Sequence, residues 1–280
     1  MLCKTLDIEL DYKKLNAENG GCRPTLSLML PDNCLRLYKG RKYPAVVICP
    51  GGGYEATSDR EAEPVALKFA AAGFNTAVLR YSVGNARFPA ALFELASAVA
   101  MLRSRADEWS IDSERIFICG FSAGGHLCAN LGTLWNRDFV KNALGFHGGE
   151  HRPSGMMLCY PVITSGEKAH RPSINALLGD MSGDKGLLEL ISAEKQVSAD
   201  TPPSFIWHTF TDTAVPVDNS LLMAAALSDK GVPFELHIFP NGPHGLALAN
   251  KITAGTGYPQ YIVPECQQWA DMAIRWAENL

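Results

Sequence analysis

At 280 residues, with 47% hydrophobic and 19% charged side chains, the chain has the make-up of an ordinary globular protein with ample core, expected as one domain over 1–280. A net charge of −4 leaves no basic stripe, so nucleic acid is not an expected partner. No apolar run approaches the roughly 18 residues of a membrane span, and the charged opening Met1 to Leu10 lacks the apolar centre of a signal peptide.

Residues 3–10 and 24–30 read as two opening strands, separated by an Asn19-Gly20-Gly21 turn. Tyr43 to Cys49 is a largely apolar strand that runs straight into Pro50-Gly51-Gly52-Gly53-Tyr54. Ala62 to Ala72 has a helical pattern and stops at Gly73, a plausible C′ glycine. Phe74 to Leu79 is the next strand. Pro89 to Ala106 is a long amphipathic helix with Leu92, Leu95, Val99 and Leu102 on its apolar stripe. Ile116 to Cys119 is a short strand buried on both faces, and Leu127 to Leu134 the helix after it. Further strands are expected over 154–160, 205–209 and 234–239, and helices over 186–193, 219–230 and 264–278. Strands alternating with helices predict a mostly parallel, doubly wound α/β sheet with flanking helices. The Gly-, Pro- and His-rich stretches 136–153 and 162–202 read as site-lining loops or a small lid.

Eight cysteines include Cys49, Cys119 and Cys159 at the ends of apolar strands and Cys128 in a helix. They behave as small buried hydrophobes, and no C-x-x-C pair points to zinc or redox chemistry. A reducing cytoplasm is the expected compartment.

Gly120-Phe121-Ser122-Ala123-Gly124 fits G-x-S-x-G, set between a buried strand and a helix. That context predicts a sharp, strained turn which holds the Ser122 hydroxyl clear of the sheet at a helix N-terminus. A serine nucleophile needs a base and an orienting acid, and in hydrolases with a G-x-S-x-G turn of this type these follow in the chain order Ser, Asp, His. Asp212 lies in the loop after the strand Phe205 to Thr209, and His244 in the Gly/Pro-rich loop after Phe234 to Phe239. Ser122, Asp212 and His244 are therefore the expected catalytic residues. Asp218, ahead of a helix, is a rival acid better explained as an N-cap. His126, His208 and His237 read as structural; His147, His151 and His170 lie in loops that could reach the pocket and show no metal-ligand pattern.

Three glycines directly after a buried strand suit a site where peptide N–H groups approach a ligand. By analogy with HGGG loops, Gly52 and Gly53 are expected to donate to an oxyanion together with Ala123. Tyr54, Phe121 and Tyr160, with Tyr81, are candidates for an apolar acyl pocket.

Several segments together resemble a known group. They are Pro50 to Tyr54 with Ser58-Asp59-Arg60-Glu61, Leu79 to Ser82, Phe88 to Ala91, Gly120 to His126, Trp207 to Thr209, Asp212 to Pro216 and His244-Gly245. The chain is similar to bacterial α/β-hydrolase esterases, more narrowly to the acetyl-esterase and xylan-esterase-like group related to the hormone-sensitive-lipase family. The resemblance implies a carboxylesterase acting on small acyl esters, often acetylated sugars, with no cofactor and no metal. A small-molecule ester is the expected partner, with no membrane partner and a homodimer left open. Pro50 stands where the HGGG motif has its histidine, so the shape of that loop is open. An amidohydrolase such as an arylformamidase, or a small peptidase, would use the same triad.

Overall fold

The computed structural model describes residues 1–32 and 40–280. Two antiparallel strands open the chain, β1 (Leu2–Asp7) and β2 (Thr25–Leu30). Six more follow: β3 (Tyr43–Cys49), β4 (Asn75–Arg80), β5 (Ile111–Phe121), β6 (Gly155–Cys159), β7 (Ser204–Thr209) and β8 (Phe234–Phe239). They form one sheet in the order β1-β2-β4-β3-β5-β6-β7-β8. From β4 to β8 every pairing is parallel; β2 meets β4 antiparallel.

Parallel strands need crossovers, and helices supply them on both faces. Helix α1 (Glu63–Ala71) links β3 to β4, and α2 (Ala90–Ser104) links β4 to β5. Next come α3 (Ala123–Leu134), α4 (Asp138–Leu144), α5 (Arg171–Leu178), α6 (Lys185–Ile191) and α7 (Ala193–Gln196). The series ends with α8 (Asp218–Asp229), α9 (Lys251–Ala254) and α10 (Trp269–Glu278). The alternation of strand side chains between two covered faces explains the unbroken apolar runs. Val46, Ile48, Phe117 and Phe121 pack with Phe69 of α1 and Trp269 of α10. Val47, Ile118 and Leu158 pack on the other face with Leu95, Val99, Leu127 and Met223. The stripe Leu92, Leu95, Val99 and Leu102 lies in this second core, but α2 is no amphipathic surface helix: Phe93, Glu94 and Ala96 are buried as well.

The winding direction reverses at β3. The chain moves outward from β3 to β4, then α2 carries it back across to β5 on the other side. The carboxyl ends of β3 and β5 lie side by side, with Cys49 opposite Gly120. In open α/β sheets such a switch point is where ligands bind. The glycine loop and the serine turn therefore meet by topology.

The two irregular stretches part company. Residues 162–202 follow a strand end, hold α5, α6 and α7, and send His170 to the switch-point side. Residues 136–153 follow a helix, so they emerge at the opposite edge of the sheet. There Trp135, His147 and Arg152 share a cleft with Glu114, early in β5, and with Ser154, just before β6. The expectation that 136–153 lines the site is thus corrected: α3 has already carried the chain away from the strand ends. His151 is held there too, with Nε2 against the Trp135 carbonyl at 2.7 Å.

Seven cysteines are free thiols among the described residues; Cys34 lies outside them. No helix among the described residues is long and apolar enough to cross a membrane.

Candidate active site

Ser122 sits between the end of β5 and the start of α3 with φ 53° and ψ −117°, a left-handed backbone that costs a non-glycine residue about 1–3 kcal/mol. Three hydrogen bonds hold it there. Its N–H donates to the Cys159 carbonyl (3.0 Å), and its carbonyl accepts from His126 (3.0 Å) and Val162 (3.1 Å). Neighbouring glycines are steric necessities: a Cβ on Gly120 would sit 2.1 Å from the Gly124 carbonyl oxygen, and one on Gly124 2.1 Å from that of Cys49.

His244 Nε2 lies 2.8 Å from Ser122 Oγ, and its Nδ1 2.6 Å from Asp212 Oδ2. Asp212 Oδ1 accepts the N–H groups of Ala214 and Val215, each at 2.9 Å. The Asp212 side chain is fully shielded from solvent, and the imidazole is 22% exposed. Burial alone would raise this carboxyl. Hydrogen bonds from His208 and His244, the charge of His244 and the Val215 N–H outweigh it and hold the group well below the usual carboxylate range. The loops after β7 and β8 are laced together as well: Gly242 N–H donates to Thr211 Oγ1 (2.9 Å), and Thr209 Oγ1 donates to the Gly242 carbonyl (2.8 Å).

His208 is less remote than its strand position implies. Its Nε2 is 3.0 Å from the Val215 carbonyl and 3.3 Å from Asp212 Oδ2, and its Nδ1 meets Ser220 Oγ at 2.8 Å. It steadies the acid from behind. Asp218 lies inside the first turn of α8 and caps nothing; its carboxylate pairs with Lys168 at 3.6 Å, away from His244. The N-cap expectation is corrected on that ground.

The glycine loop is folded back on itself. Gly52 (φ 131°) presents its carbonyl to the N–H groups of Glu55 and Ala56, both at 3.1 Å. The N–H groups of Gly52, Gly53 and Ala123 enter none of the hydrogen bonds among the described residues. Gly52 and Gly53 border a cleft of about 370 Å³ that also holds Ser122 and His244, while Ala123 follows the serine at the start of α3.

What braces this loop, with Pro50 in place of a histidine, is a residue the sequence did not single out. Glu61, in a 3-10 turn over Asp59–Glu61, is 3% exposed; its Oε2 accepts the Gly51 N–H and its Oε1 the Tyr160 hydroxyl, each at 2.8 Å. Burial pushes the Glu61 carboxyl up, and the Tyr160 and Gly51 hydrogen bonds pull it back. The Tyr160 hydroxyl in turn accepts the Ala247 N–H (2.8 Å), so Glu61 ties the glycine loop to the segment that carries His244. Tyr81 donates to the Pro50 carbonyl at 2.7 Å.

The candidates for an acyl pocket sit elsewhere. Tyr54, Phe121 and Tyr160 are 3%, 0% and 1% exposed and do not border the cleft. Phe121 points into the α1/α10 core against Trp269, since the residue before the turn still obeys strand alternation. Tyr54 donates to His126 Nδ1 (2.8 Å), whose Nε2 meets the Ile191 carbonyl (2.8 Å); burial lowers the His126 pKa to about 4, so the ring is neutral. These residues support the loop from beneath. The cleft is bordered instead by Ser58, Arg60, Glu61, His170 and Tyr261, with no aliphatic side chain among its lining residues. Among the described residues no group of three His, Cys, Asp or Glu side chains is arranged to hold a metal ion.

Residues 32–227 match the BD-FAE family. The chain belongs to that family of α/β hydrolases. The BD-FAE chain is also 36% identical to an acetyl ester-xyloside bifunctional hydrolase from Caldicellulosiruptor lactoaceticus, with a TM-score of 0.81 over 99% of this chain and 96% of that one. It is 40% identical over 215 residues to endo-1,4-beta-xylanase B of Butyrivibrio fibrisolvens, covering 75% of this chain and 33% of that protein. It is 30% identical over 258 residues to an acetylxylan esterase of Xylanibacter ruminicola, covering 89% of this chain and 49% of that protein. The chain thus spans only a third to a half of the length of these two curated relatives.

Proposed function

We propose that residues 1–280 act as one catalytic unit, a serine carboxylesterase that removes acetyl and other short acyl groups from small sugar or oligosaccharide esters. The relay Ser122–His244–Asp212, opening on a cleft edged by unused N–H groups, carries this reading. His244 takes the Ser122 proton as the oxygen attacks the ester carbonyl, and Asp212 stabilises the imidazolium. The carbonyl oxygen becomes an oxyanion facing the N–H groups of Gly52, Gly53 and Ala123. His244 then gives its proton to the departing alcohol, leaving Ser122 acylated. A water, activated by the same imidazole, frees the acid. The acetyl ester-xyloside hydrolase and acetylxylan esterase among the relatives support a sugar as the alcohol. The free thiols support a reducing compartment such as the cytoplasm.

A cleft bordered by no aliphatic side chain sets the acyl length. In an apolar trough each added methylene would strengthen binding by about 0.8 kcal/mol, and catalytic efficiency would climb with chain length. Here the three aromatics that could have built one are in the core. On p-nitrophenyl esters, kcat/KM is expected to be highest for acetate to butyrate and to fall beyond. A steady rise to octanoate would contradict the short-acyl reading; no turnover of any ester, with formyl-kynurenine or peptide anilides cleaved instead, would contradict the esterase reading.

A further inference from the structure

The wall beside His244 carries a charge the triad does not use. Arg60 borders the same cleft as Ser122, donates to the Gly245 carbonyl at 3.3 Å, and holds its guanidinium 4.4 Å over the Tyr261 ring. That arrangement fixes the group while engaging one N–H among its five donors. Of the two acids that flank it in sequence, Asp59 is taken by Arg80 at 2.7 Å. Among the described residues no carboxylate forms an ion pair with Arg60. The cleft's one acidic side chain is Glu61, 3% exposed and already bound by Gly51 and Tyr160; it feels the charge of Arg60 without forming an ion pair with it.

Position decides which part of a substrate meets it. The leaving oxygen must come within hydrogen-bond reach of His244 Nε2 to collect its proton. The alcohol moiety therefore lies along the His244–Gly245 backbone, and Arg60 is bonded to the second of those residues. In the proposed reaction the acyl carbonyl faces Gly52 and Gly53 instead. A planar guanidinium with spare N–H pairs is the natural partner of a planar carboxylate, through two parallel hydrogen bonds.

We propose that Arg60 and Tyr261 form an alcohol-side subsite selective for esters whose alcohol carries a carboxylate, such as an acetylated uronic acid. This rests on the esterase reading above and deepens it. The test compares kcat/KM for mono-O-acetyl glucuronate and mono-O-acetyl glucose, with p-nitrophenyl acetate as a measure of the triad alone. The wild type is expected to favour the uronate about tenfold at low salt, with the gap narrowing as salt screens the charge. Arg60→Gln should bring the ratio near one, Arg60→Lys should leave part of the preference because a point charge lacks the fork, and Arg60→Glu should invert it. Equal rates on both sugars in the wild type, or a ratio unchanged in Arg60→Gln, would overturn the subsite while p-nitrophenyl acetate is still cleaved. Loss of p-nitrophenyl acetate turnover in the wild type would instead sink the esterase reading, and the subsite with it.

Discussion

Asp212→Asn is expected to lower kcat by about 10⁴-fold with the fold retained. Two donors point at Asp212 Oδ2, from His244 at 2.6 Å and His208 at 3.3 Å. An amide there presents N–H to ring nitrogens that need an acceptor. His244 can answer only by turning over its tautomer, so that Nε2 carries a proton and no longer accepts one from Ser122. Oδ1 keeps its bonds to the Ala214 and Val215 N–H groups, which preserves the loop. Asp218→Asn is the matched control. Its carboxylate is 42% exposed and pairs with a half-exposed Lys168 at 3.6 Å, an interaction worth at most about 1 kcal/mol of stability. Steady-state kinetics on p-nitrophenyl acetate beside thermal melts of both variants separate the two outcomes. A large loss in Asp218→Asn with Asp212→Asn active would move the acid to Asp218.

The second large effect belongs to the glycine loop. Gly52→Ala is expected to cut kcat by about 100-fold or more, the loss associated with removing one oxyanion donor. The cause is steric: an added Cβ would stand 2.2 Å from the Ala56 carbonyl oxygen, and φ 131° is open to glycine alone. Backbone must shift, and with it the N–H proposed as an oxyanion donor. At Gly53 the nearest atom to an added Cβ is Ser173 Oγ at 3.8 Å, so Gly53→Ala meets only the strain of φ 68° and should lose under tenfold. Equal, small losses in both variants would remove the loop from the oxyanion site.

The hydrogen-bonded array of Ser122, His244 and Asp212 was legible in the sequence because each follows a strand, the buried ends of β5 and β7 and the half-exposed edge strand β8, and parallel strands deliver their ends to one side. The G-x-S-x-G turn and the loops of Asp212 and His244 needed no tertiary detail. Phe121 misled because it borders the serine in sequence while strand alternation turns it into the opposite core. Tyr160 follows a strand end, yet its hydroxyl is spent on Glu61 and Ala247 beneath the cleft. Glu61 itself sits in the charged run Ser58-Asp59-Arg60-Glu61, which looks solvated. Its burial depends on Gly51 and Tyr160, and Tyr160 is 99 residues away. Residues 136–153 were open to a simpler correction, since a loop that follows a helix returns at the far edge of the sheet.

The proposed ester chemistry depends on Ser122 as nucleophile, and one measurement addresses that directly. The protein is treated with a fluorophosphonate, digested, and the modified peptide located by mass spectrometry. Stoichiometric modification of Ser122, abolished in a folded Ser122→Ala variant, is the expected result. Modification at another residue, or none on folded wild-type protein, would contradict the account.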